Sequence, residues 1–266
     1  MFRITQKASI KYLECFADKE LDFMIHAFCT RQGGVSGGSF AGLNVSTREG
    51  DDNDHVRLNF ESIAAAFGIT VSQFLQVHQV HRDGVWVLDG RVPLPADDLP
   101  PECDAVVTDR PEVALCIKTA DCVPVFLVDP VRRVIGAVHA GWKGTALQIV
   151  GKAVGKMVQR FGTHPSDLFA AIGPAIGPCC YEVDTTVYQA MSNHPERESF
   201  FQAGREKGKW SLDLFLANRL QLIQSGVPAQ RIRQADFCTA CHPGLFFSYR
   251  AQGGNTGRQL NFIMMR

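Results

Sequence analysis

Two histidines and a cysteine stand where they could share one ion. Cys122 ends the segment TADC and opens the apolar run 123–128, while His139 follows the run 134–138 in AVHAGWKGT. Read as antiparallel strands joined by a turn at Asp129, Pro130 and Val131, these runs bring Cys122 and His139 to the same end of a sheet. His78, in QVHQVH at 76–81, ends an earlier predicted strand and completes a set of two imidazoles and one thiolate. Zinc prefers such donors, and three protein ligands leave a fourth position for water or substrate, the pattern of a catalytic site. The same spacing also suits histidines that only hydrogen-bond at strand ends. Asp121, beside Cys122, is a candidate to orient a ligand histidine or relay a proton, or to cap a turn.

The elements that must position these residues are short β-branched and aromatic runs. Strands are predicted at 23–29, 74–78, 85–88, 105–108, 113–118, 123–128 and 134–138, and further on at 168–172, 231–237 and 260–264. Leu147, Val150, Val154, Met157, Val158 and Phe161 recur at spacings of three or four, which predicts a helix over 145–161 directly after a strand. Further helices are predicted over 183–191 and 212–224. No repeat or long linker divides the chain, and the proline-rich stretch 91–101 reads as a surface loop. The expected fold is α/β, one domain over 1–266 with a mixed β-sheet core flanked by helices.

Composition narrows the function classes. Lys plus Arg and Asp plus Glu each total 27, so the formal net charge is zero and no basic footprint for nucleic acid or an anionic membrane is expected. No apolar stretch approaches the roughly 20 residues of a membrane span, and the first residues lack the apolar core of a secretory signal. A cytoplasmic protein with nine reduced cysteines is expected, and a monomer. Cys238 and Cys241 form a Cys-x-x-Cys pair, but Cys179 and Cys180 are adjacent, so no second pair of suitable spacing completes a four-ligand site. His194, Glu196 and this pair also echo a zinc-deaminase signature poorly, since Phe237 replaces its proline.

The ordered set HAFCTRQGGVS, GLNVS, QVHQVH, CDAVVTD, KTADCVPV, AVHAGWKGT, IGPAIGPCCYEV, CTACHPGLFFSYR and GNTGRQLNF runs through nearly the whole chain. It resembles the YfiH or laccase-domain family, also called the polyphenol oxidase or purine nucleoside phosphorylase family. The resemblance implies a YfiH-like fold and one metal, usually zinc with copper as the alternative, held by His78, Cys122 and His139. His81 is the rival to His78 within QVHQVH. It further implies phosphorolysis of adenosine, inosine, guanosine and methylthioadenosine, with deamination of adenosine, so that purine nucleosides and phosphate are the expected partners.

A phosphate co-substrate needs fixed donors. Arg31 beside Gly33, Gly34, Gly37 and Gly38 offers a guanidinium among exposed amides, and Asn44, Lys143 and Arg250 are further candidates. Trp142 is a candidate to stack on a purine. Three competing readings use the same residues: a cysteine hydrolase with Cys122 as nucleophile and His139 as base, copper-dependent phenol oxidation, and a non-catalytic zinc protein with a role in peptidoglycan editing. Against the last stands the missing fourth ligand, because structural zinc is almost always four-coordinate.

Overall fold

The computed structural model describes residues 1–16, 18–90 and 100–266, so most of the expected loop at 91–101 lies outside the described residues. The chain runs through β1 (Arg3–Lys7), β2 (Ile10–Glu14), β3 (Met24–Cys29), α1 (Asn53–Phe67), β4 (Phe74–Leu75), β5 (Val85–Leu88), β6 (Ala105–Thr108), β7 (Ala114–Thr119), β8 (Val123–Asp129) and β9 (Val134–Ala140). It continues through α2 (Trp142–Ala146), α3 (Ile149–Phe161), β10 (Phe169–Ile172), β11 (Glu182–Asp184), α4 (Thr185–Ala190) and α5 (Arg197–Phe200). Last come β12 (Phe201–Ala203), β13 (Lys209–Leu212), α6 (Leu214–Gln224), β14 (Ile232–Gln234) and β15 (Gln259–Met265).

Two six-stranded sheets form, in the orders β1-β2-β3-β15-β7-β4 and β14-β10-β8-β9-β6-β5, with a three-stranded sheet β11-β13-β12 beside them. Both large sheets are mixed: β4 with β7, β5 with β6 and β10 with β14 pair in parallel, among antiparallel neighbours.

The alternation of strand side chains stacks the layers. On β7, Leu115 and Ile117 face one core while Ala114 and Cys116 face another. On β8, Phe126 and Val128 join the first core, and Val123, Val125 and Leu127 join a third. The two large sheets therefore pack face to face, with the Phe28 and Phe126 rings stacked at 4.3 Å between them. Helix α1 covers the outer face of the first sheet through Val56, Phe60 and Ile63, and α3 and α6 cover the outer face of the second. Strands buried on both faces read as continuous apolar runs, which is why they were legible. No helix among the described residues is long and apolar enough to cross a membrane.

Several elements differ from expectation: β1, β2, α1, α5, β12 and β13 were not expected, and the strand expected over 231–237 is only Ile232–Gln234. The helix over 145–161 is two helices, broken at Gln148, whose φ is 59°. The Gln221 side-chain amide donates to the Thr145 carbonyl at 2.7 Å and caps α2 there. The strand expected over 74–78 pairs only at Phe74–Leu75, and His78 makes an isolated bridge with Glu102. The helix expected from 183 starts at Thr185, because the Asp184 side chain accepts from the Thr186 and Val187 amides.

His26 makes the sandwich pH-sensitive. Its Nε2 accepts from the Cys15 amide at 3.0 Å, which requires the neutral ring, and burial pushes its pKa down to about 3. A base with a depressed folded pKa stabilises the fold above its unfolded value near 6.5, and that stability drains as pH falls toward 3. Between pH 7.5 and pH 5 this residue is predicted to withdraw about 2 kcal/mol. Denaturant unfolding of wild type and His26→Gln at both pH values tests this; equal losses in the two proteins would refute it.

Candidate metal centre

The chain crosses between the two large sheets three times at one end of the sandwich. Residues 76–84 run from β4 to β5, residues 120–122 from β7 to β8, and residues 235–258 from β14 to β15. The second crossing is abrupt, with Asp121 at a φ of 90°, and it delivers Cys122 to the start of β8. In the β8–β9 register Pro124 faces His139, so the expected hairpin brings Cys122 and His139 together.

The third member of the cluster is His81, not His78. The ligand atoms of His81, Cys122 and His139 all lie within 4.8 Å of one another, and the two imidazoles meet edge to face at 4.7 Å. His78 is held away: its amide donates to the Pro101 carbonyl at 3.0 Å, and its Nδ1 stands 3.7 Å from Glu102 Oε1. His81 itself is exposed, at the mouth of the site, and its backbone takes a φ of 57°, in the left-handed region.

Asp104 builds the centre from behind. It is fully buried just before β6. Its Oδ1 accepts from the His81 amide at 3.0 Å and stands 2.8 Å from His139 Nδ1. Its Oδ2 accepts from the Arg82 and Val80 amides at 2.8 and 3.2 Å. One carboxylate thus folds the turn that carries His81 and fixes the tautomer of His139, leaving His139 Nε2 free as a ligand. Burial opposes ionisation of Asp104, but His139 and the amides outweigh it and hold its pKa below the ordinary value.

The sulfur is prepared in the same way. Burial works against the Cys122 thiolate, yet the charges and hydrogen bonds of His139 and His81 bring its pKa down to about 6. Gly141 leaves the space: a Cβ there would stand 3.0 Å from Cys122 Sγ and 3.4 Å from His81 Cδ2. Two imidazoles and an acidic thiol within bonding reach of one point fit a single metal ion.

The cluster opens on a cavity of about 580 Å³. Arg48, Lys118, Arg250 and Arg258 line it against two acidic side chains, Glu49 and Asp121, and Trp142, Tyr181 and Tyr249 supply aromatic faces. Burial lowers the Lys118 pKa to about 8. Arg258 pairs with Glu49 at 3.0 Å, and Arg250 donates to the Glu182 carbonyl at 2.9 Å.

The other expected site residues divide. Arg250 and Trp142 line the cavity. Asp121 lines it too but orients no histidine: its carboxylate accepts from the Thr239 hydroxyl at 2.6 Å and the Arg250 amide at 2.7 Å, tying down the wall. Arg31 stands outside, its guanidinium donating to the Ala41 and Pro243 carbonyls and lying over the Phe247 ring. Lys143 is exposed and lies over the Trp142 ring. Asn44 is buried, and its Oδ1 accepts from the Ser46 and Arg258 amides, so it shapes the segments bearing Arg48 and Arg258 without touching the cavity. His194 is buried against Phe200, away from this centre. Asp104, Arg48, Lys118 and Arg258 were missed, although CDAVVTD, KTADCVPV and GNTGRQLNF contain three of them; a carboxylate immediately before a strand next to the His139 strand was the available signal.

Known proteins share this architecture. A purine nucleoside phosphorylase YlmD of Geobacillus stearothermophilus is 38% identical over 248 residues, 89% of this chain and 88% of that protein. An adenosine deaminase RL5 from an unknown prokaryotic organism is 34% identical over 256 residues, 92% of this chain and 97% of its own. The crystal structure of a Bacillus licheniformis hypothetical protein YfiH superposes with a TM-score of 0.91 at 34% identity, covering 100% of this chain and 99% of that one. A family model described as multi-copper polyphenol oxidoreductase laccase matches residues 25–266, and the chain belongs to that family, which the motifs resemble under its YfiH name.

Proposed function

We propose that the chain is a metal-dependent enzyme acting on purine nucleosides, cleaving the glycosidic bond with phosphate and also deaminating adenosine. The observation that carries this reading is the placement of His81, Cys122 and His139 on a cavity that also holds four cationic and three aromatic side chains. Relatives named for purine nucleoside phosphorylase and adenosine deaminase support both halves of it.

His81, Cys122 and His139 would hold the ion, zinc by the chemistry of the donor set. When bound, such an ion supplies Lewis acidity and lowers the pKa of a coordinated water from 15.7 to about 7. The remaining work belongs to the protein. The excess of cations in the cavity suits a phosphate dianion, with Arg48, Lys118 and Arg258 as its partners. Tyr181, Tyr249 and Trp142 offer faces for the purine ring. In phosphorolysis a phosphate oxygen bonds to the sugar C1′ as the bond from C1′ to the base nitrogen breaks, and the base leaves with a proton.

Adenosine turnover in phosphate should give free base and ribose 1-phosphate, and in phosphate-free buffer only inosine. Cys122→Ala should lose one equivalent of metal and both products. Full turnover in that variant would overturn the proposal. Activity that survives complete chelation but dies in Cys122→Ala would instead support the cysteine nucleophile.

A further inference from the structure

Four further cysteines meet apart from His81, Cys122 and His139. Cys179 and Cys180 lie in the turn after β10, and Cys238 and Cys241 lie in the Cys-x-x-Cys segment after β14. Because β10 and β14 are parallel neighbours, both segments leave the same end of the sheet, and sulfurs some sixty residues apart come together. Cys241 Sγ is 3.4 Å from Cys180 Sγ and 3.6 Å from Cys179 Sγ, and all four sulfurs lie within 4.8 Å of one another. The adjacency of Cys179 and Cys180, which argued against a four-ligand site in the sequence, is overridden by this long-range pairing.

We propose that Cys179, Cys180, Cys238 and Cys241 form a second, structural metal site that takes one zinc ion in an all-sulfur tetrahedron. Zinc–sulfur bonds of about 2.3 Å set the edges of such a tetrahedron at about 3.8 Å, close to the separations found here. A disulfide needs its two sulfurs at about 2.05 Å, and all four cysteines are free thiols. The backbone is arranged for the sulfurs independently of any ion. The Gly177 amide donates to Cys238 Sγ at 3.2 Å, and a Cβ at Gly177 would stand 3.4 Å from Cys179 Sγ. The Cys180 amide donates to the Gly177 carbonyl, and the Thr239 amide to the Ala175 carbonyl. Donation of backbone amides to sulfur supports the thiolate form that the ion requires.

The position gives the site a purpose. Tyr181 follows Cys180 and lines the cavity, Thr239 follows Cys238 and binds Asp121, and Arg250 donates to the Cys180 carbonyl at 3.4 Å. An ion here staples the two segments that make one wall of the cavity. The inference does not rest on the nucleoside reading.

The test is metal content and zinc X-ray absorption on full-length protein purified under reductant. Wild type is expected to hold two zinc ions per chain, and Cys122→Ala one, in a shell of four sulfurs at about 2.3 Å. The double variant Cys179→Ser with Cys241→Ser should drop from two ions to one; if it does not fold, the Cys122→Ala spectrum decides alone. One ion in wild type and none in Cys122→Ala after zinc is supplied, or a disulfide from Cys241 to Cys179 or Cys180 in the peptide map, would overturn the assignment.

Discussion

His81→Asn is expected to release one metal ion and cut nucleoside turnover by roughly a thousandfold or more, while His78→Ala leaves both close to wild type. Asparagine is the replacement of choice because it tolerates the left-handed backbone at residue 81, so the turn survives while the imidazole is lost. The magnitude follows from the ion's role as a Lewis acid: a contribution of about 4 kcal/mol to the barrier corresponds to about a thousandfold in rate. His78 faces Glu102 and is tied by its backbone to Pro101 and Cys103, so its ring is dispensable for the centre. Elemental analysis with steady-state kinetics on both variants decides. A His78→Ala protein that lacks one ion, beside a His81→Asn protein with the wild-type metal content, would return the ligand role to His78.

The choice between these two histidines marks where sequence reasoning reached its limit. Cys122 and His139 were legible because the hairpin that joins them is local: two apolar runs and a turn fix their register. His81 was not, because its direction depends on one left-handed residue and on three amides gathered by Asp104, a residue 23 positions away. Periodicity cannot report a contact of that kind. The continuous apolar runs of β7, β8 and β9 identified the core strands, yet they do not say that two sheets stack, since that follows from which alternate residues join which core. The cations show the same division. Arg31 sits in a glycine-rich turn that reads as an anion cradle, but neighbouring carbonyls take up its guanidinium. Arg48 and Arg258 reach the cavity from segments 210 residues apart in the sequence, joined through Asn44, and no local pattern announces that meeting.

Asp104→Asn is expected to weaken metal binding by at least 10- to 100-fold, the usual cost of losing a partner behind a metal ligand, and to destabilise the fold as well. The carboxylate receives hydrogen bonds on both oxygens, so an amide in its place must turn its NH₂ toward one set of donors. If the NH₂ faces the Val80 and Arg82 amides, those two N–H groups lose their acceptor at about 1 to 3 kcal/mol each, and the turn that carries His81 opens. If it faces His139, it meets the Nδ1 proton. Relief then requires the ring to move its proton to Nε2, the atom that would bind the ion. Either orientation removes a ligand, so the two effects cannot be separated by relaxation of the side chain. Asp121→Asn is the informative contrast, because Asp121 holds Thr239 and Arg250 and touches neither histidine. Zinc titration of the stripped proteins, with thermal melts of the loaded ones, measures the difference. Equal zinc affinity in wild type and Asp104→Asn would mean that His139 keeps its tautomer without Asp104, and the account of how this centre is held would fail.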